Sequence, residues 1–198
     1  LINEMLEYAR KKGFSIYTGL GAYSWGFEEI IKANPNLISS DKRRSWGRDL
    51  LDNECVMCYH KEEAGEWMRK IVDFIVQETD IDGFGIQAAD QGRCLCDKCL
   101  ELDDTEYYAM ASLEVANYIK SRWPEKLVSV SGWGMYFDNG DSVAAVKKLS
   151  ERLDYITDVA GTIQHGENRK KFINSLSCNF GTVGGVIFVP PQRWDRQR

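Results

Sequence analysis

Three cysteines fall within six positions at Cys94-Leu95-Cys96-Asp97-Lys98-Cys99, and a second close pair stands at Cys55-Val56-Met57-Cys58. Thiolates are soft ligands, and two short knuckles brought together by a fold are the usual means of giving a tetrahedral zinc its four donors. Read as a metal site, the cluster puts forward Cys55, Cys94, Cys96 and Cys99 as ligands of a structural zinc. The C-x-C element is unusual and the gap between the pairs is longer than in compact zinc ribbons, so two other readings stand beside it. Six cysteines can pair as disulfides in an exported protein, or they can be buried thiols. A catalytic zinc keeps an open position and recruits histidine or carboxylate, whereas His60 and His165 have no H-E-x-x-H spacing. No cofactor is therefore expected for catalysis.

Carboxylates form the second chemical group. Asp90 follows the apolar run Gly85-Ile86-Gln87-Ala88-Ala89 and has Arg93 close by, Asp158 follows Asp154-Tyr155-Ile156-Thr157, and Glu167 stands beside His165 across a glycine. Cleavage of a glycosidic bond takes two carboxyl groups, one as acid and one as base or nucleophile. Asp90 is the expected acid, with Asp158 or Glu167 as its partner. Aromatic residues make up 12% of the chain, and Trp25, Trp133 and Tyr136 fall near the ends of apolar runs, where rings could stack on sugars. With His165 and Arg93 they are the expected substrate contacts. Each of these acids and rings also has an ordinary reading, as a helix cap, a solvated loop charge or core packing.

The elements that must position these residues repeat. Ile2 to Lys12 has helical apolar spacing and ends at Lys11-Lys12-Gly13, and Phe14 to Leu20 reads as a strand running into a glycine-rich loop. A long irregular stretch covers about 34–59. A helix follows from Glu62, with Trp67, Ile71, Phe74 and Ile75 on one side, and then a strand at 84–89. Next come a helix at 105–122 stopped by Trp123-Pro124, a strand at 127–133, a helix at 142–152, a strand at 154–157, a helix at 169–176 and a strand at 184–189. Alternation of strand and helix predicts a parallel sheet joined by right-handed crossovers. After the first strand, Gly19-Leu20-Gly21 continues into Ala22-Tyr23-Ser24-Trp25 and not into a phosphate-binding fingerprint, which favours a (β/α) TIM-type barrel over a nucleotide-binding fold. Five strands make such a barrel incomplete, since eight take ~250 residues. The 198 residues thus read as one domain, 1–198, opening in mid-helix without an initiator methionine, a piece of a longer protein.

A net charge of -5 gives no footprint for a nucleic acid, and no apolar window is long enough to span a membrane. The run from Gly83 to Cys99, a following helix with Tyr residues and Asn117, and Trp123-Pro124 before a strand resemble uncharacterised glycoside-hydrolase-like barrel domains. These are related to the α-glucuronidase and β-hexosaminidase families and occur in bacterial polysaccharide-degrading proteins. The resemblance implies a TIM-type barrel, a carbohydrate substrate and an acid where Asp90 stands. The hexosaminidase pattern has adjacent Asp and Glu at that strand end where this chain has Asp90-Gln91, and the glutamate of the α-glucuronidase pattern is also missing. A noncatalytic carbohydrate-binding barrel, its loop held by the cysteines, is therefore the alternative.

Overall fold

The computed structural model of the chain describes residues 2–39, 42–43, 56–88, 92–135, 140–159 and 167–183. In chain order the elements are α1 (Ile2–Lys11), β1 (Tyr17–Gly21), α2 (Glu28–Ala33), a 3-10 turn at Pro35–Leu37, β2 (Lys42–Arg43), α3 (Glu62–Glu78) and β3 (Gly83–Gln87). They continue with β4 (Arg93–Cys94), α4 (Asp97–Leu100), α5 (Asp104–Arg122), β5 (Leu127–Ser131), α6 (Gly140–Ser150), β6 (Tyr155–Val159), α7 (Glu167–Ile173) and β7 (Asn179–Val183).

Five strands form one sheet in the order β1-β3-β5-β6-β7, every neighbouring pair parallel. The order follows the chain without a reversal. With right-handed crossovers, strands added always on one side place every crossover helix on one face of the sheet. The burial pattern agrees. Phe84 and Ile86 on β3, Val128 and Val130 on β5 and Ile156 on β6 are fully buried beneath the helices. Gly85, Ser129, Ser131 and Thr157 alternate with them and are only half-buried. One face is therefore apolar and sealed, and the other is small and polar toward the carboxyl ends of the strands, with Tyr17 and Tyr155 near their amino ends.

Local chemistry accounts for the helix that anchors this layer. Asp103 caps α5 by accepting the Glu106 N–H at 2.8 Å while Glu106 accepts the Asp103 N–H at 3.0 Å, a reciprocal capping box. At the other end the Trp123 N–H closes on Ile119 O before Pro124 stops the helix. Helix α3 turns a different side inward from the one its large residues suggest. Ala64, Gly65, Met68 and Val72 are buried, Trp67, Ile71 and Ile75 are half-buried, and Phe74 is exposed. The reason is steric: Ala64 and Gly65 bring α3 close to Tyr23 and Glu114, which bulkier residues on that side would hold off.

The fifth strand is Asn179–Val183, upstream of the run at 184–189, which lies outside the described residues. Asn179 and Gly181 are poor strand formers, and pairing along the whole of β6 decides the conformation.

Charged groups brace the amino-terminal edge of the sheet. Asp154 accepts the Val128 N–H and the Lys120 ammonium, both at 2.7 Å. Asp82 accepts the Ile16 N–H at 2.7 Å and the Arg10 Nε–H at 2.8 Å, tying α1 and the start of β1 to the start of β3. Burial works to raise the Asp82 pKa, but the Ile16 hydrogen bond and the Arg10 charge outweigh it and hold the carboxyl below its ordinary 3.8. A carboxyl with a lower pKa folded than unfolded gives stability that is present above the unfolded value and lost as pH falls through the folded one. Asp82→Asn is expected to cost about 1 kcal/mol at neutral pH, the worth of a charge-assisted hydrogen bond. The gap in urea midpoint between variant and wild type should narrow below the ordinary value of 3.8; a gap constant with pH would contradict this account.

Candidate functional site

The carboxyl ends of the parallel strands gather the residues with chemistry. The β1 and β3 ends are locked together, because the Gln87 carbonyl accepts both the Ala22 N–H at 3.0 Å and the Trp25 Nε1–H at 3.2 Å. Trp25 is half-buried and lies against β1. A Cβ on Gly21 would stand 2.3 Å from the Trp25 carbonyl oxygen and 2.9 Å from its ring, so only glycine admits the indole there. Tyr23, between them, takes a left-handed backbone with φ 64° and offers its carbonyl to the Met57 N–H at 2.8 Å.

That last bond delivers Cys58. The segment before α3 is held by Met57 to Tyr23, by a bridge from Ile38 to Met57 and by Cys58 N–H to Leu37 O, and its thiol meets the segment that follows β3. There Cys94 lies in β4, paired with Lys42 of β2, Cys96 caps α4, and Cys99 lies within it. The four sulfurs are all within 4.8 Å of one another. Cys58 is 3.8 Å from both Cys96 and Cys99, and Cys96 is 3.5 Å from Cys99. Cys58, Cys94 and Cys99 are buried and Cys96 is half-buried.

These separations discriminate between the readings of the cysteines. A disulfide brings sulfurs to ~2.05 Å, and no disulfide joins any of the five described cysteines. Four sulfurs at ~2.3 Å from one zinc define a tetrahedron with edges of ~3.8 Å. Neighbouring Cys94, by a hydrogen bond, is the first cause that pushes the Cys58 thiol up to about 11, and hydrogen bonds with Cys58 and Cys94, ahead of burial, push Cys99 far above its ordinary value. The backbone N–H of His60 also points at the Cys58 sulfur, where it would support a thiolate. The four cysteines thus cluster at metal-binding distance, and the fourth is Cys58; Cys55 lies outside the described residues.

Arg93, expected at the substrate, is 3% exposed. Its guanidinium donates to the carbonyls of Cys99 and Leu102, pairs with Asp104 at 3.0 Å and stacks on Tyr107 at 4.5 Å. The Tyr107 hydroxyl in turn accepts the Cys94 N–H at 3.4 Å. Neither the arginine nor the tyrosine is marked by a motif; the signal was only that Arg93 abuts Cys94.

Among the other expected site residues, Trp133 is half-buried just past β5, with its N–H donated to Ser131 Oγ at 3.3 Å. Asp158 stands one residue before the end of β6, opposite Thr182, and Glu167 opens α7. Asp90, Tyr136 and His165 lie outside the described residues; Asp90 is three positions past the last residue of β3. A second cluster, Tyr23, Arg69 and Glu114, lines a cavity of about 50 Å³ between α3 and α5. Burial raises the Glu114 pKa against the opposing pull of the Tyr23 hydroxyl and Arg69. A cavity of that size takes a few waters and no sugar. No helix among the described residues is long and apolar enough to cross a membrane.

No protein-family model matches the chain, and no curated protein matches it in sequence. Solved structures do. The chain is similar to Eubacterium rectale Amy13B (TM-score 0.55, 10% identity, covering 90% of this chain and 42% of that one). It is also similar to an Anoxybacillus alpha-amylase (0.52, 14%, 79% and 32%) and to the noncanonic maltogenic alpha-amylase AmyB of Thermotoga neapolitana (0.50, 14%, 79% and 31%). At these identities the likeness is one of fold alone. The chain spans about a third of the length of the two amylases and about two fifths of Amy13B.

Proposed function

We propose that this chain is part of a carbohydrate-active (β/α) barrel that hydrolyses glycosidic bonds in poly- or oligosaccharides, with Asp90 as the acid and Asp158 or Glu167 as its partner. The segment from Gly83 to Cys99, by its resemblance to barrel domains related to the α-glucuronidase and β-hexosaminidase families, supports this reading. The observation that carries the reading is the all-parallel sheet laid down in chain order, because in barrels of this kind chemistry is done at the carboxyl ends of the strands. Asp90 follows β3 and Asp158 stands next to last in β6, and both strands flank β5. At ~4.8 Å per strand spacing their axes lie ~10 Å apart. Carboxyl separations of ~5–9.5 Å, the span of retaining and inverting hydrolysis, are of that order.

The small polar face of the sheet, with Ser129, Ser131 and Thr157, fits the interior of a barrel that admits sugar hydroxyls near its mouth. Trp25 and Trp133 supply apolar rings at that mouth, and Tyr136 and His165 are assigned to substrate contact with them. Catalysis takes no cofactor, and zinc at the cysteine cluster is structural.

The test is turnover of the full-length parent protein on a panel of aryl glycosides and uronic-acid oligosaccharides, with Asp90→Asn alongside. Asp90→Asn should lower kcat by ~10²-fold or more, the contribution of a positioned general acid. Sugar binding without turnover in both proteins would sink the hydrolase and leave a noncatalytic glycan-binding barrel.

A further inference from the structure

We infer that Cys58, Cys94, Cys96 and Cys99 are the complete ligand set of a closed zinc tetrathiolate that cross-links the segment entering α3 to the segment leaving β3. The inference goes beyond the hydrolase reading and does not depend on it.

Three observations converge. The three separations among Cys58, Cys96 and Cys99, 3.5–3.8 Å, match the edge of a ~2.3 Å zinc–sulfur tetrahedron before any ion is placed, and the Cys94 sulfur lies within 4.8 Å of each. The four thiols supply all four positions of a structural site, and the group contains no histidine or carboxylate that would mark an open, catalytic one. The segment that carries three of the ligands has little structure of its own, only the two-residue β4 and the four-residue α4. A helix of one turn does not hold itself together, yet Arg93, Cys94 and Cys99 are buried within this stretch. The Arg93 and Tyr107 contacts hold part of it, and Cys58, which comes from 38 residues before Cys96, is where a cross-link would attach.

Binding is a proton-for-metal exchange: Zn²⁺ and four thiols give a dianionic tetrathiolate and four protons. The buried Arg93 guanidinium, held on the Cys99 carbonyl, offsets part of that charge, and the His60 N–H directed at Cys58 takes up more. Tetrahedral sulfur sites also suit iron. Zinc is the choice for a site whose role is to join two segments.

The experiment uses the whole chain, produced in medium containing both zinc and iron. Metal content is measured by elemental mass spectrometry, and each cysteine is mapped by alkylation with and without a chelator. One zinc per chain is expected, with Cys58, Cys94, Cys96 and Cys99 protected until chelator is added. Cys178→Ser should keep the zinc, since Cys178 stands apart from the cluster, and Cys58→Ser should lose it. Because Cys58→Ser could lose zinc by misfolding, the mapping on wild type decides independently. Protection that resists chelator and yields to reductant means disulfides, equal labelling of Cys58 with and without metal means it is not a ligand, and iron in place of zinc means an electron-transfer class of site. Any of these overturns the proposal. None of the readouts involves sugar, so failure here and failure of the hydrolase reading are told apart.

Discussion

Removing zinc with a chelator is expected to lower the thermal unfolding midpoint by about 8–16 °C relative to protein held at free zinc about a thousand times the dissociation constant. A ligand bound only by the folded state stabilises by ~4 kcal/mol at that ratio, and in a chain of this size each kcal/mol moves the midpoint by ~2–4 °C. The shift is large because metal and local fold are coupled: without the ion, the four thiols and the one-turn α4 keep only the Arg93 and Tyr107 contacts and the two-residue β2–β4 pairing. Calorimetry with zinc added back in steps checks it. The midpoint should climb with the logarithm of free zinc, and a midpoint indifferent to both chelator and zinc would contradict a structural metal.

Arg93→Met is expected to destabilise the fold by about 3 kcal/mol, within the range for uncoupling buried charge networks. Asp104 is 36% exposed on its side chain, so the ion pair itself supplies little of this. Most comes from the Cys99 and Leu102 carbonyls, which lose a buried donor, and from the lost stacking on Tyr107. Arg93→Lys should recover only a fraction, because one ammonium cannot serve three acceptors spread across a planar fork. Urea unfolding of the three proteins tests both statements. A methionine variant within 1 kcal/mol of wild type, on the scale of an ordinary surface change, would mean the arginine holds nothing.

What could be read in the sequence was what local physics dictates. The apolar spacing of 105–122 and the stop at Trp123-Pro124 placed α5 to within a residue, and the strands at Gly83–Gln87 and Leu127–Ser131 stood out as short apolar runs between helices. What could not be read depended on partners distant in the chain. Strand β7 is made by pairing with β6 and not by its own residues, and the inward side of α3 was set by the small Ala64 and Gly65 rather than by the bulkier Trp67 and Phe74. The cysteine cluster was legible as a cluster. Which member of the Cys55 and Cys58 pair meets the other three depended on the Met57 to Tyr23 bond, which no spacing rule encodes. Arg93 looked like a substrate contact because it follows Asp90, and only three-dimensional packing turns it inward.

The chain-order sheet also bears on how the protein emerges during synthesis. Tyr17 of β1 must find Gly83 of β3, whereas Tyr155 of β6 finds Asn179 of β7 a short loop away. At ~5–20 residues per second, β1 leaves the ribosome several seconds before the strand it needs exists. Through that interval its backbone edge is unpaired and able to join another nascent chain. The sheet therefore zips most readily from its later strands, and β1, which waits longest for the strand beside it, is the one that benefits most from a chaperone standing guard.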